Sequence, residues 1–515
     1  MTVLPTAQEP AEAGAGGGGL DLLKQSPLAL LSQPRLAAAV VGNFLKPEIF
    51  SRRRAGTHRA GTGYLDGLRG WAALLVCFVH LNVYTHSDIE LCYGHEVSEG
   101  VFIDSPTQLP FVRLLFSGGH FSVAVFFCIS GYVLTQRLIG LMHEAREEDF
   151  LRSVHSSIFR RPLRMFLPVI WSTFLLATFW HLTGLATPWP ERQSNIILEY
   201  WAWFIETSRF MFFFRTGFLF TYYNVHTWTI PVELRGSMFV FVWLFTLRHI
   251  GHRPRILLTV ANLFHLVVLS SGAWYGCFFA GMLTAELHLL YAENSTIKVP
   301  LPWDGVLQGL WRRRFLYLAL MHVMLVAGLY LAGQPTADEI GIEATLGHCR
   351  GWVTLSKMIP PAYDKTNFRW FWLFWAAWSI MLCAREIPWL RYFLESGFSQ
   401  YLGRISFALY LVHGPIIGLL SERLFWLAGV WKEVDPFHRG QDNIDKFGHL
   451  HNKWHDAAWW PFSDAGPSGL EPNFVFCSVV SVVVFLYVAE LGTKLFDTPS
   501  VTASRWAWEK SKKLR

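Results

Sequence analysis

The stretch Leu65-Asp66-Gly67-Leu68-Arg69-Gly70-Trp71-Ala72-Ala73-Leu74-Leu75-Val76-Cys77-Phe78-Val79-His80-Leu81-Asn82-Val83-Tyr84-Thr85 decides how the whole chain is read. It is apolar over a length that crosses the hydrocarbon core of a bilayer as a helix. Asp66 and Arg69 stand at its start, and His80 lies inside it. An ionisable side chain at membrane depth is costly to hold there, so its default reading is functional. Arg69 and His80 are eleven residues apart, close to a whole number of helical turns, which puts both on one face about 16 Å apart. A hydrated helix face joining a surface arginine to a buried imidazole is one reading. An anchoring arginine and a packed histidine are the other.

The composition agrees with a membrane setting. Of 515 residues, 52% are apolar, 16% aromatic and only 16% charged, too apolar a balance for an ordinary soluble protein. The net charge of +6 is modest and the cations sit in blocks between apolar runs, which argues against nucleic acid as a partner. Among the seven cysteines, Cys77, Cys128, Cys277, Cys383 and Cys477 fall in apolar runs without metal-ligand spacing, and no metal is predicted. Only Cys92 and Cys349 lie in connecting loops.

Ten runs are long and apolar enough to be read as spans, at roughly 65–85, 120–141, 164–186, 228–248, 255–271, 273–291, 315–333, 369–384, 404–424 and 473–493. The fold class is therefore an all-α polytopic membrane protein, a bundle of about ten transmembrane helices. Residues 199–220 are aromatic but carry Glu206, Arg209 and Arg215, and read as an interfacial or re-entrant piece. Residues 1–60, small and acidic at first and then interrupted by Pro27 and Pro34, read as a disordered or interfacial arm without a basic leader. Residues 61–500 form the transmembrane domain, and 501–515 a basic tail.

Loop charge orients the bundle. Arg52, Arg53, Arg54 and Arg59 precede the first run, and alternate loops carry Arg160, Arg161 and Arg164, then Arg253 and Arg255, then Arg312 to Arg314, then Arg385 and Arg391. The first loop on the other side is acidic, with Asp88, Glu90, Glu96, Glu99 and Asp104. By the positive-inside bias both termini face the cytosol. Cys92 and Cys349 then share the non-cytosolic side, where they can pair. The sequon Asn294-Ser295-Thr296 falls on the cytosolic side and is expected to stay unmodified.

Further polar groups stand where lipid would exclude them. Glu233 lies a few residues inside the fourth run, at a depth expected to match that of His80, so a base with an orienting carboxylate is one reading and an interhelical bond the other. His413 lies near the middle of the ninth run. Arg160, Arg161 and Arg164 stand at the cytosolic mouth of the third, where arginine forks suit phosphate and also serve as plain anchors. His120, at the outer boundary of the second run, suits a site or an interface equally.

Taken in order, these motifs resemble those of the integral-membrane acyltransferase-3 family. Leu65 to Gly70 with His80 eleven residues after Arg69 is similar to the family signature. Phe126 to Tyr132 resembles its second-span motif, Arg161 to Arg164 its Arg-x-x-Arg, Trp228 to Glu233 its Trp-Ser-Leu-x-x-Glu, and Ser406 to His413 its Ser-x-x-x-Tyr-x-x-His. The variant around Glu233 looks more like the fungal branch. The resemblance implies transfer of an acyl group, most often acetyl, from acyl-CoA to a hydroxyl of a small-molecule or carbohydrate acceptor. It implies His80, Glu233 and Arg69 as catalytic, with His80 as general base or transient acyl carrier and Glu233 orienting it. Arg69, Arg161 and Arg164 would hold the coenzyme, and His120, Trp228, Tyr410 and His413 the acceptor.

A reading of another class is a proton-coupled secondary transporter, since buried His and Glu residues in ten spans suit a proton path. No inverted internal repeat supports it. Lys512-Lys513-Leu514-Arg515 fits a retrieval signal for the endoplasmic reticulum, which favours an endomembrane location. Outer-loop tryptophans (Trp189, Trp201, Trp203, Trp454, Trp459, Trp460) suit flat rings and sugars equally, and His438, His449, His451 and His455 lack metal spacing. Acceptor and oligomeric state are not legible.

Overall fold

The computed structural model describes Gly42 and residues 44–47, 61–98, 101–185, 190, 192–292, 300–337, 346–364, 366–430 and 462–513. The chain divides into two units, Met1–Arg53 and Arg54–Arg515. Of the first, Gly42 and residues 44–47 are described, and they are partly helical. Asn294, Trp189, Trp454, Trp459, Trp460 and the histidines at 438, 449, 451 and 455 lie outside the described residues.

The second unit is helical: α1 Gly63–Val83, α2 Gly119–His143, α3 Glu147–Thr183, α4 Ile196–Met211, α5 Thr229–Thr246, α6 His252–Phe264, α7 Ala273–Leu290, α8 Arg314–Ala332, α9 Arg369–Glu386, α10 Gly397–Ile416, α11 Pro472–Gly492 and α12 Thr498–Lys513. A two-stranded antiparallel hairpin, β1 His95–Ser98 with β2 Val101–Ile103, decorates the loop between α1 and α2.

Every predicted run coincides with a helix, but only seven helices among the described residues are both long and apolar enough to cross a membrane. The remaining runs correspond to α6, α7 and α9. α6 falls short in length, at 13 residues, and keeps Leu257, Leu258 and Phe264 exposed, whereas the polar content of α7 and α9 has a physical reason: both are enclosed by other helices, with Phe278, Ala280, Met282, Phe374, Ala376 and Ala377 all buried. A helix that meets protein on every side has no need of a lipid-compatible surface, so α7 carries Glu286 and His288 and α9 is bounded by Arg369 and Glu386. The peripheral α8 shows the reverse, with a mean hydropathy of 2.1 and only 17% of its span buried. The predicted third run starts at Arg164, whereas α3 begins at Glu147 and runs for 37 residues through Pro162 and Pro168. At 1.5 Å per residue that is about 55 Å, longer than a hydrocarbon core of about 30 Å, so its arginine-bearing first turns extend past it.

Contact pairs show how the helices run. Phe127 stacks on Phe278 and Tyr132 meets His288, so α2 and α7 are parallel; Trp274 meets Trp370 and Trp378 donates to Thr284, so α9 runs the same way. Val79 lies against Gly119 and Tyr64 against Tyr132, which sets α1 antiparallel to α2. Tyr401 meets Glu490 and Ser421, just past α10, meets Ser481, which sets α11 antiparallel to α10. The aromatic segment read as interfacial is α4, started by an Asn195 cap that accepts from Ile197 and Leu198. Its exposed face is apolar, with Ile197, Trp201 and Phe204, and its buried face carries Glu199, bonded by Tyr223 at 2.8 Å and the Gln193 amide at 2.9 Å.

At one end of the bundle the loops are tied together. Cys92 and Cys349 form a disulfide. Glu90 accepts from Arg369 at 3.2 Å, and its carbonyl accepts from Arg113 at 3.0 Å and from the Thr336 amide at 2.8 Å.

Candidate active site

The site begins with two helices that are far apart in sequence and touch through glycine. A Cβ on Gly70 would overlap the backbone at Leu402 and Gly403, and one on Gly403 would overlap the carbonyl of Asp66. Such contacts exist only where small residues let backbones approach. With α1 and α10 this close and parallel, residues on the facing side of α1 meet α10 in register. Arg69 donates to the Gly403 carbonyl at 3.0 Å, and further along the same pair of helices His80 meets His413 at 3.1 Å between Nδ1 and Nε2. The eleven-residue spacing thus does put both side chains toward one neighbour.

Around Arg69 the helices enclose a cavity of about 240 Å³. Arg69, Arg161, Arg164 and Arg404 line it from α1, α3 and α10, with Glu233 and Asp497 as its acids and Ser130, Thr229, Ser406 and Tyr410 as its neutral polar groups. Phe126, Phe127, Met165 and Phe407 supply apolar wall. The three arginines expected to hold the coenzyme are therefore neighbours in one space. Arg69 forms a pair with Asp66 at 3.0 Å, yet its buried Nε has no partner, and no hydrogen bond or ion pair closes on the exposed Arg164 among the described residues. Unspent N–H groups beside one another are what a diphosphate or phosphate requires.

Glu233 makes no contact with His80. Its carboxylate is bonded by Arg161 and by the Ser130 hydroxyl, while Arg161 also donates to Ser237 at 3.0 Å and Ser130 at 2.9 Å. The expected match in depth is not what the structure has: His226 stands level with His80, and Glu233, seven residues further along the chain, lies at the level of Arg69, where α5 turns it toward α2 and α3.

The partner of His80 comes instead from α10. His413 is fully buried; its Nδ1 lies 3.3 Å from the Leu409 carbonyl, which only accepts, so that nitrogen carries the proton. Nε2 of His413 is then bare and accepts from Nδ1–H of His80, which leaves Nε2 of His80 as the unprotonated nitrogen. A third imidazole, His226, lies edge-on to His80 with ring centroids 4.2 Å apart and 4.7 Å from that of His413. Its buried Nδ1 has no hydrogen-bond partner. Tyr410 bonds the His226 carbonyl, accepts from Thr229 at 2.8 Å, and sits with its ring 5.7 Å from His413, so the cavity wall and the histidines share one side chain. Asn224 donates to the Leu411 carbonyl at 2.8 Å and fixes the turn that presents His226.

Sequence alone does not single out His226, because it precedes the fourth run and reads there as a loop residue. Its position two residues before Trp228, beside a recognisable motif, is the available signal. Ser130 likewise reads as a small packing residue. The other two residues expected to bind acceptor do not line the cavity: His120 faces Arg369 at 3.3 Å and stands within electrostatic reach of His80, and Trp228 packs edge-on to Trp274 and Trp370.

Comparison with known proteins gives the family. The chain is 30% identical to the O-acetyltransferase PaAT-1 of Phomopsis amygdali over 440 residues, covering 78% of this chain and 83% of the relative. It is 26% identical to the acyltransferase clz18 of Cochliobolus lunatus, covering 74% and 87%, and 26% identical to the acyltransferase R4 of a Phoma species, covering 72% and 86%. No solved structure matches it. A family model described as an acyltransferase domain matches residues 62–488, from the turn before Arg69 to the later part of α11, and the chain belongs to that family of membrane acyltransferases.

Proposed function

We infer that this enzyme moves an acyl group, acetyl in the first instance, from acyl-CoA to a hydroxyl of a small-molecule or carbohydrate acceptor. The observation that supports this most is the adjacency of two unlike sites on the α1–α10 pair: an arginine-lined cavity at Arg69, and a bare imidazole nitrogen at His80 held by His413. The cavity is small for a whole coenzyme, so it receives the thioester end or a phosphate while the nucleotide stays at the rim, where Arg164 is exposed. PaAT-1 is named an O-acetyltransferase, which favours acetyl as the group and oxygen as its destination.

In this scheme Nε2 of His80 takes the proton of the acceptor hydroxyl as its oxygen attacks the thioester carbonyl. The C–S bond then breaks, the coenzyme leaves as thiolate, and the proton on His80 passes to that sulfur. His413 stabilises the cationic His80 by accepting from its Nδ1–H and holds the ring in the productive tautomer. Arg161 and Glu233 form the cavity's fixed charge pair, which leaves the other terminal nitrogen of Arg161 for the donor. Ten spans with both termini in the cytosol would open the arginine end to cytosolic acyl-CoA, and an endoplasmic reticulum location would suit that supply. The test is transfer of labelled acetyl by purified protein. His80→Ala is expected to abolish transfer without loss of the folded protein, and full activity in that variant would overturn the assignment. Glycosylation sites inserted in successive loops test the span count and orientation.

A further inference from the structure

A second group of ligating side chains lies away from this site, where the C-terminal end of α2, the start of α6 and the C-terminal half of α7 meet. His143, His252 and Glu286 present ligand atoms that all lie within 4.8 Å of one another. We propose that these three side chains form a binding site for a divalent cation of the zinc class, clamping α2, α6 and α7 together.

The case rests on what each group lacks. Glu286 is 1% exposed, and only one of its oxygens is used: Arg255 bonds Oε1 through Nε at 2.9 Å and again through its terminal nitrogen, while Oε2 is buried with no hydrogen-bond partner. Nε2 of His143 is also buried without a partner. A stranded carboxylate oxygen and a stranded imidazole nitrogen in one place each carry a desolvation cost that a hydrogen bond or a metal would relieve. His252 completes the set. Its Nδ1 lies 3.0 Å from Arg255, which only donates, so Nδ1 accepts and Nε2 is the nitrogen directed elsewhere; its ring is 4.5 Å from that of His143, edge to face.

Two imidazoles and one carboxylate are a familiar donor set for zinc, with water as the fourth ligand. Arg255 holds Glu286 through Oε1 and His252 through Nδ1, so its contacts orient both toward the shared space, the role outer hydrogen bonds play around bound metals. His252, partly exposed at the end of the bundle, gives the ion a way in. Binding would bring the ligand atoms closer than they now stand, drawing together helices that already interlock where Gly131 meets Phe278 and Gly281 meets Cys128. Because α2 also carries Ser130, the clamp would stiffen one wall of the arginine cavity without contributing to the chemistry there.

The experiment uses the full chain, purified in detergent with any polyhistidine tag removed. Co(II) is titrated as a spectroscopic substitute for zinc, and bound metal is measured by elemental analysis. The expected result is about one tightly held ion per chain with the visible absorption of low-coordinate Co(II), at least tenfold weaker binding in His143→Ala and in His252→Ala, and unchanged binding in His80→Ala. Neither of the first two variants breaks the Arg255–Glu286 pair, so both are expected to fold, and matched elution profiles check this. The proposal is overturned if the native protein binds no Co(II), if His143→Ala binds as tightly as the native chain, or if binding is lost in His80→Ala instead. None of these readouts depends on acyl transfer.

Discussion

His413 is held at both ring nitrogens, by the Leu409 carbonyl and by His80, and this decides what a substitution there should do. His413→Leu removes the acceptor for Nδ1–H of His80 and is expected to lower kcat by about 10²-fold or more with little change in affinity for the donor. His413→Gln, whose amide oxygen can still accept, should retain more of the activity than the leucine variant. Steady-state kinetics with varied acyl-CoA checks both. At Arg161 the expectation concerns stability. Arg161→Leu leaves Glu233 as a buried carboxylate without its cation, a loss of about 3–5 kcal/mol for a broken buried pair. Arg161→Leu combined with Glu233→Leu should recover much of the lost Tm, and scanning fluorimetry in detergent measures it. What the sequence makes legible at this scale follows from spacing along one helix, as with Arg69 and His80. What it hides depends on how separate helices are set in height and rotation: that Glu233 stands level with Arg69 and meets Arg161, and that His226 bends in from a loop to meet His80.

At the scale of elements, the close approach of α1 and α10 holds the site together. Gly70→Leu forces a side chain into the backbone of Gly403, and overpacking of this kind costs about 1–3 kcal/mol or more. A drop in Tm with a matching loss of acyl transfer is expected. Gly281→Leu, which would collide with the Cys128 carbonyl, should lower Tm to a similar degree. Neither glycine contact is recognisable from local pattern, since Gly70 lies in the first run and Gly403 just before the ninth, and either could face lipid. Helix positions are readable because apolar length is a local property. The beginning of α3 is not, because Pro162 and the arginines around it resemble a boundary, although proline is tolerated where neighbours satisfy the freed carbonyls.

For the whole molecule, acid sensitivity is expected to arise at the disulfide-bearing end. Burial alone would raise the Glu90 carboxyl, but Arg369, with His120 and Arg113 assisting, outweighs it and holds Glu90 below its ordinary 4.5. Glu471, also resisted by burial, is held below 4.5 by His86, its partner at 3.2 Å. A carboxyl whose folded pKa lies below its unfolded one contributes stability that is fully present above the unfolded value and is lost as pH falls through the folded value. Tm should therefore be flat between about pH 7 and 5 with respect to these groups and fall below about pH 4.5, less steeply in Glu90→Gln; a thermal-melt series against pH checks this. The Cys92–Cys349 bond at the same end predicts a mobility shift between reduced and non-reduced samples that disappears in Cys92→Ser.

The pairing of α1 with α10 also has a consequence in time. The two halves of the His80–His413 bond are 333 residues apart in sequence, and at 5–20 residues per second the ribosome needs about 15–70 s to make the second after the first. Throughout that interval α1 sits in the membrane without the α10 partners of Arg69 and His80, with Asp66 and later His226 as the neighbours already made. The nascent chain must be sheltered, by its own intermediate helices or by insertion factors, until α10 arrives to close the pair. Truncations ending before Gly397 should accordingly be held at the insertion machinery or degraded, whereas those ending after α11 should be released as stable protein.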